Sequence, residues 1–219
     1  MLSSLIKLKN IILDILFPPL CINCRRYLDN RNKLICEQCL SSIKLNNTLF
    51  CPNCRARLAE NRQICHHNKK EYPFSYFLAA AGNYSDPIIQ NLIHCFKYKS
   101  FESLVPILGE LLLKYLFAMD SRDLIREKFA KYAVIPIPLH PQRERERGFN
   151  QAKLLADFVA KNLNLELIHG LKRIKDTQSQ SKIKKPEERH KNIAGCFKAR
   201  NPELVRGKNI ILVDDVFTS

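Results

Sequence analysis

Two adjacent carboxylates, Asp214 and Asp215, close the apolar run Asn209-Ile210-Ile211-Leu212-Val213, and Val216, Phe217, Thr218 and Ser219 follow. A short hydrophobic strand that stops at paired acids and turns through hydroxyl residues is suited to gripping a sugar phosphate. The carboxylates can accept hydrogen bonds from ribose hydroxyls. The N–H groups of the turn, and of a helix after it, can hold a phosphate. Residues 214–219 are therefore the candidate ribose and phosphate site. No side chain in the sequence stands out as a catalytic acid, base or nucleophile.

Cysteine chemistry comes next. The chain has nine cysteines, most of them in close pairs. Cys21 with Cys24 and Cys36 with Cys39 form two C-x-x-C knuckles, and two such turns complete a tetrahedral zinc site. All four positions would be filled by protein, so the metal would hold structure and not catalyse. Four buried free thiols are the competing reading. Cys51 and Cys54 open a second ribbon, but its other half differs. Cys65 is followed by His66 and His67, and Asn68 stands where another thiolate is expected. Either histidine could complete that site, or it is degenerate and empty. Cys95 and Cys196 lie alone in apolar surroundings and read as small core residues. Met1 to Leu20 carries Lys7, Lys9 and Asp14 and no small-residue cleavage site. Without export, paired cysteines read as reduced metal ligands, and a cytoplasmic location is expected.

A third group is cationic. Pro136-Ile137-Pro138-Leu139-His140-Pro141 leads into Arg143, Arg145 and Arg147. Guanidinium groups bind phosphate oxygens bidentately, and these lie just after a strand pattern and just before a helix pattern. Glu144 and Glu146 interleave, so an exposed charge ladder is the alternative. Residues 172–193 hold Arg173, Thr177, Gln178, Gln180, Lys182, Lys184, Lys185, Arg189, Lys191 and Asn192 without periodicity. They read as a mobile basic loop, and their position between strands suits an active-site lid.

The elements that must position these groups are legible in outline. The chain has 219 residues with 46% hydrophobic content, enough for one domain and a small satellite. Nothing in its middle or C-terminal part is collagenous, repeated or long enough to span a membrane. The net charge of +15 is uneven. Residues 1–70 carry 12 basic and 4 acidic side chains, and residues 140–200 carry 15 and 7. That fits a phosphate-rich partner, with solvated surface charge as the alternative. Residues 3–17 read as an amphipathic helix that docks on the protein's own core in preference to a membrane surface, ended by Pro18-Pro19. Residues 76–81 read as a strand. Asp86-Pro87 opens a helix to about Tyr98, and further helices are expected over about 103–118 and 120–130. Then Ala133–Ile137 reads as a buried strand, Asn150–Leu163 as a helix, Glu166–Ile168 as a strand, Cys196–Ala199 as a short strand and Asn209–Val213 as the last. Such alternation predicts an α/β fold with a parallel sheet and a site at the strand C-terminal ends. The expected organisation is an N-terminal helix over 1–19, a double zinc ribbon over 20–70 and an α/β domain over 71–219.

These residues together resemble the ComF family of competence-associated, phosphoribosyltransferase-like proteins. The resemblance rests on Leu16-Phe17-Pro18-Pro19-Leu20-Cys21, the double ribbon, Leu92-Ile93-His94 with Lys97-Tyr98, and "PIPLHPQRERERGFNQA" from Pro136 to Ala152. It extends to Arg173, Thr177, Gln180, Arg189, Asn192, Gly195 and Phe197, and to the "VDD" strand end. It implies a type I phosphoribosyltransferase-like parallel sheet and a ligand such as phosphoribosyl pyrophosphate with magnesium. Asp214 and Asp215 would face ribose hydroxyls, Val216 to Ser219 would begin the 5′-phosphate cradle, and the loop after Pro138 (Leu139, His140 and the arginines) would lie beside the pyrophosphate. Arg173, Gln180, Arg189 and Asn192 would belong to the pyrophosphate side or the lid. Family members continue past the hydroxyl turn with a threonine-glycine step, a helix and further strands. The sequence as given is therefore expected to be C-terminally truncated: a truncated product, a fragment or one segment of an interrupted gene. The implied role is handling imported single-stranded DNA with the competence machinery, with Tyr72, Phe74, Tyr76, Phe77 and Phe149 as candidate base-stacking residues. The alternatives are an enzyme passing phosphoribosyl to an unknown acceptor, and an inactive remnant.

Overall fold

The computed structural model describes residues 14, 16–51, 54–58, 65, 77–99, 101–119, 127, 129–180 and 183–217. Its elements, in chain order, are α1 (Glu37–Ser41), α2 (Pro87–Tyr98), α3 (Val105–Met119), β1 (Tyr132–Pro136), α4 (Pro141–Arg147), α5 (Gln151–Leu163), β2 (Glu166–Leu167), β3 (Leu171–Arg173), α6 (Pro186–Ile193), β4 (Phe197–Ala199) and β5 (Asn209–Val213).

The sheet that carries the site has the order β2-β1-β5, all parallel. Its middle strand, β1, is almost wholly apolar and buried, as expected of a strand covered on both faces. The register pairs Tyr132 with Asn209 and Pro136 with Val213, so β1 and β5 end level. The pairing runs one step further, where the Ile137 N–H donates to the Val213 carbonyl at 2.9 Å. Helix α5 connects β1 to β2 and buries Ala152, Leu155, Ala156, Val159, Ala160 and Leu163. That spacing is the apolar stripe of a helix lying on a sheet.

Helix starts follow their caps. The Asp86 carboxylate accepts from the Ile88 and Ile89 N–H groups, and Pro87 takes the first turn of α2. Asn150 caps α5 by accepting from the Lys153 N–H, and its amide donates to the Ile137 carbonyl at 3.1 Å. One side chain therefore starts a helix and ties it to the end of β1. Gly148, at φ 84°, makes the left-handed turn between α4 and α5 that an L side chain rarely adopts.

A single cluster of buried side chains joins the N-terminal cysteine-rich region to the α/β part. Leu28, Ile35, Cys39 and Ile43 pack with Leu92, Ile93, Phe96, Leu104, Leu108, Val134, Phe149, Leu155 and Val213. The Tyr115 hydroxyl donates to the Thr48 carbonyl at 2.8 Å; burial pushes this phenol up to about 12.

Several expectations change here. The arginine-rich loop after His140 is instead helix α4, opened by Pro141 at its first turn. The basic stretch 172–193 is not wholly loop. It contains the end of β3 and helix α6, and β3 pairs antiparallel with β4 in a separate two-stranded sheet. A low-hydrophobicity helix such as PEERHKNI has no apolar stripe to give it away. Of the strand read over 76–81, the described residues 77–81 form no named strand: Leu78 and the following Gly82 make isolated bridges, to Phe50 and Leu45. The N-terminal helix lies mainly outside the described residues. Asp14 and Leu16 are helical, and the Arg31 Nε donates to Asp14 at 2.7 Å. Most of the helix read over 120–130 also falls outside them.

Candidate functional site

The two cysteine knuckles are copies of one local structure, offset by 30 residues. In the first, the Cys21 N–H donates to the Arg26 carbonyl and the Arg25 N–H to Cys21, with Leu20 bridged to Tyr27. In the second, Cys51 donates to Ala56 and Arg55 to Cys51, with Phe50 bridged to Arg57. Arg25 and Arg55 both sit at positive φ, 61° and 57°. The Sγ atoms of Cys21, Cys24, Cys36 and Cys39 lie within 4.8 Å of one another, as do those of Cys51, Cys54 and Cys65. Cys24 and Cys36 are 3.7 Å apart, and Cys54 and Cys65 3.6 Å. Zinc–sulfur bonds of about 2.3 Å in a tetrahedron put sulfurs about 3.8 Å apart, so the donor spacing fits zinc.

The surroundings favour a thiolate at Cys21, whereas at Cys39 the Asn23 amide is outweighed by burial and the neighbouring sulfurs, which push that thiol up to about 12. N–H groups aim at sulfur: Cys36 at Cys21 (3.4 Å), Cys39 at Cys36 (3.5 Å) and the Asn23 amide at Cys39 (3.3 Å). Burial works to raise the Cys21 thiol, but the backbone donors of Cys24, Cys36 and Asn23 outweigh it and bring it to about 6. Such donors orient the ligands of a metal site. His66 and His67, the candidates for the fourth ligand of the second ribbon, lie outside the described residues. Cys95 and Cys196 are buried single thiols.

At the other end of α2 the acids meet their partners. Asp214 and Asp215 follow the last residue of β5 and stand level with the end of β1. They are not equivalent. The Asp215 side chain is largely covered, with 8% of it exposed, and pairs with Lys97 of α2 at 2.9 Å. Asp214 keeps contact with solvent and accepts from the Asp215 N–H at 2.8 Å. Protein atoms nevertheless crowd its carboxyl group. This desolvation, and the neighbouring Asp215 carboxylate, push it up to about 7 against the opposing pull of Lys97. Val216 packs at the margin of the main core, and Phe217 is exposed. Thr218 and Ser219 lie outside the described residues.

Folding residues 141–147 into a helix separates the three arginines. Arg143 and Arg147, four apart, share a face, and Arg145 points away into solvent. Arg143 turns to Asp176, with its Nε 3.3 Å from Oδ1, and His140 Nδ1 lies 3.9 Å from the same oxygen. Arg147 instead lies 5.5 Å over the Tyr98 ring and donates to Gln151 Oε1 at 3.2 Å. Leu139 is half-buried in the connector that carries His140. Arg173, at the end of β3, donates to Thr177 Oγ1 at 2.6 Å and lies over the Phe197 ring. Burial lowers its pKa first and Arg143 second, with Cys196, Asp176 and Asp214 pulling the other way. Arg143, Asp176 and Asp214 thus all lie close enough for their charges to act on Arg173.

The remaining residues expected of a lid hold their own segment together. The Gln180 amide donates to the Arg189 carbonyl, the Arg189 Nε to the Ile183 carbonyl at 2.8 Å, and the Asn192 amide to the Gln178 carbonyl at 2.9 Å. Two groups of the site escaped the sequence reading. Lys97 was visible only as part of a motif and not as the partner of an acid. Asp176 had one available signal: it is the single acid between Lys172 and Lys185.

A zinc-binding ribbon built onto a parallel α/β core, consistent with a phosphoribosyltransferase-like fold, is the class of protein that these observations define. The family profile described as "Double zinc ribbon domain" matches residues 12–69. The chain is 29% identical over 201 residues to "Competence protein F" of Haemophilus influenzae, covering 91% of this chain and 85% of that protein. It is 39% identical over 88 residues to "Competence protein ComFC" of Bacillus subtilis, covering 40% of this chain and 33% of that one. It is 27% identical over 143 residues to "DNA utilization protein YhgH" of Escherichia coli K12, covering 65% and 60%. No solved structure matches. The ribbon profile and these similarities support the resemblance to the ComF family. No helix among the described residues is long and apolar enough to cross a membrane.

Proposed function

We propose that this is a competence-linked protein that handles incoming single-stranded DNA and carries a site for a sugar diphosphate of the phosphoribosyl pyrophosphate type. One observation carries the sugar-diphosphate part: Arg173 feels the charges of Arg143, Asp176 and Asp214, and the solvent-accessible Asp214 directly follows β5 where it ends level with β1. In open α/β sheets, ligands enter at that edge. Arg143 and Arg173 would neutralise the diphosphate, and Asp214 would receive the ribose hydroxyls. Asp215, held by Lys97, would brace the turn. Magnesium would be held by ligand oxygens and waters, as is usual for diphosphates. The names of the similar proteins, competence and DNA utilization, support the DNA part. So does the exposed surface of the knuckles, where Arg25, Arg26, Tyr27, Arg55 and Arg57 face solvent. Cations with an interleaved aromatic suit single strands. Of the other candidate stacking residues, Phe149 is buried against Phe96 and Phe77 is exposed, while Tyr72, Phe74 and Tyr76 lie outside the described residues.

Calorimetry with phosphoribosyl pyrophosphate and magnesium tests the first half. The protein should give heat that Asp214→Asn and Arg143→Gln each diminish, and a flat trace from the unaltered protein rejects the site. Binding of a labelled single strand tests the second half. It should weaken with salt at a slope of about −0.7 per phosphate contacted, and Asp214→Asn should leave it unchanged.

A further inference from the structure

Asp176 follows β3 in a stretch without regular structure, and its carboxylate lies between two groups of another element. Its Oδ1 is 3.3 Å from Arg143 Nε and 3.9 Å from His140 Nδ1. That histidine nitrogen is buried and makes no hydrogen bond among the described residues, and the same holds for Gln180 Oε1 nearby in sequence. The geometry is therefore that of an anion cradle held at slightly loose distances. Arg173 adds a second guanidinium close enough to repel Arg143. Like charges gathered this way need an anion among them. A carboxylate offers one negative charge and two acceptor oxygens, whereas a diphosphate offers more of both. Asp176 itself is half exposed, so nothing in its packing prevents it from swinging away.

We propose that Asp176 is a built-in competitor, a carboxylate that occupies the anion position beside Arg143 and His140 until a diphosphate displaces it. This rests on the reading that the arginine cluster takes a sugar diphosphate. Displacement would free the 174–180 stretch from α4, and ligand arrival would then loosen a contact as well as form new ones. The device sets selectivity too, because singly charged anions gain little by replacing a carboxylate of equal charge.

The test uses the full zinc-loaded chain and inorganic pyrophosphate with magnesium as the probe. Asp176→Asn removes the competing charge and keeps the shape, so pyrophosphate should bind about tenfold more tightly than to the unaltered protein. Asp176→Glu, which keeps the charge, should show no such gain. Equal or weaker binding by Asp176→Asn overturns the proposal and makes the acid a support for Arg143 instead. Hydrogen exchange on the unaltered protein supplies a readout without any variant. Amides of 174–180 should exchange faster when pyrophosphate saturates the protein, and added protection there overturns the displacement. If neither the unaltered protein nor Asp176→Asn gives heat, the sugar-diphosphate reading fails and the competitor falls with it. Heat from both at equal affinity removes only the competitor.

Discussion

Lys97 and Asp215 form the contact on which the acid turn depends. Both are largely buried, with 20% and 8% of their side chains exposed. A buried acid deprived of its cation is far worse off than a pair replaced together. Lys97→Met should therefore cost about 3 kcal/mol in denaturant unfolding, and adding Asp215→Asn should recover most of it. Asp214 makes a separate prediction. Its pKa stands near 7 in the folded protein, against an ordinary value of 3.8. The folded state thus holds a proton between those values that the unfolded state has released. Stability from this group grows as pH falls from about 7 toward 4 and is lost as pH rises through 7. Melting temperatures across pH 4 to 8 should show the unaltered protein gaining on Asp214→Asn as the pH falls, and parallel curves would contradict the shift.

Helices α3 and α5 meet at a glycine. A Cβ at Gly109 would come within 2.2 Å of a Phe158 ring carbon. Alanine inside an exposed helix is normally worth up to about 1 kcal/mol over glycine. Here Gly109→Ala should instead destabilise by about 1–3 kcal/mol, and Phe158→Leu in the same protein should restore part of the loss, as thermal melts would show. Elements of this kind were largely legible. Asp86-Pro87 announced α2, Asn150 announced α5, and the buried runs of β1 and β5 were plain, because caps and apolar periodicity are local signals. Helices α4 and α6 were not legible, since PQRERER and PEERHKNI carry no apolar stripe and take their place from the loops around them. Their effect on the site was large. As a loop, three alternate arginines would have pointed together. As a helix, Arg143 faces Asp176, Arg147 packs on Tyr98, and Arg145 faces water. The cysteine knuckles were read directly, because two residues between thiols is itself the geometric requirement. Lys97 with Asp215, and Arg143 with Asp176, join segments far apart in the chain, and no spacing rule reaches across such distances.

At the scale of the molecule, the ribbon is part of the core. Cys21 and Cys39 are buried in the same cluster as Phe96, Val134 and Val213. Stripping the metal with a chelator should therefore do more than unravel residues 20–70. Near-ultraviolet dichroism and a thermal melt should show loss of tertiary order in the α/β part as well, and zinc should restore it. An α/β part that melts unchanged without metal would mean that the shared cluster contributes little. Helix α2 gives this continuity a direction. Asn91, on one turn, donates to Asn23, whose amide reaches the sulfur of Cys39; Lys97, about 9 Å further along the axis, grips Asp215. A rigid rod passes on any tilt imposed at one end. Thiol oxidation at the knuckle would therefore be felt at the acid turn as an ammonium group displaced from Asp215, tying the order of that turn to the reducing power of the surroundings.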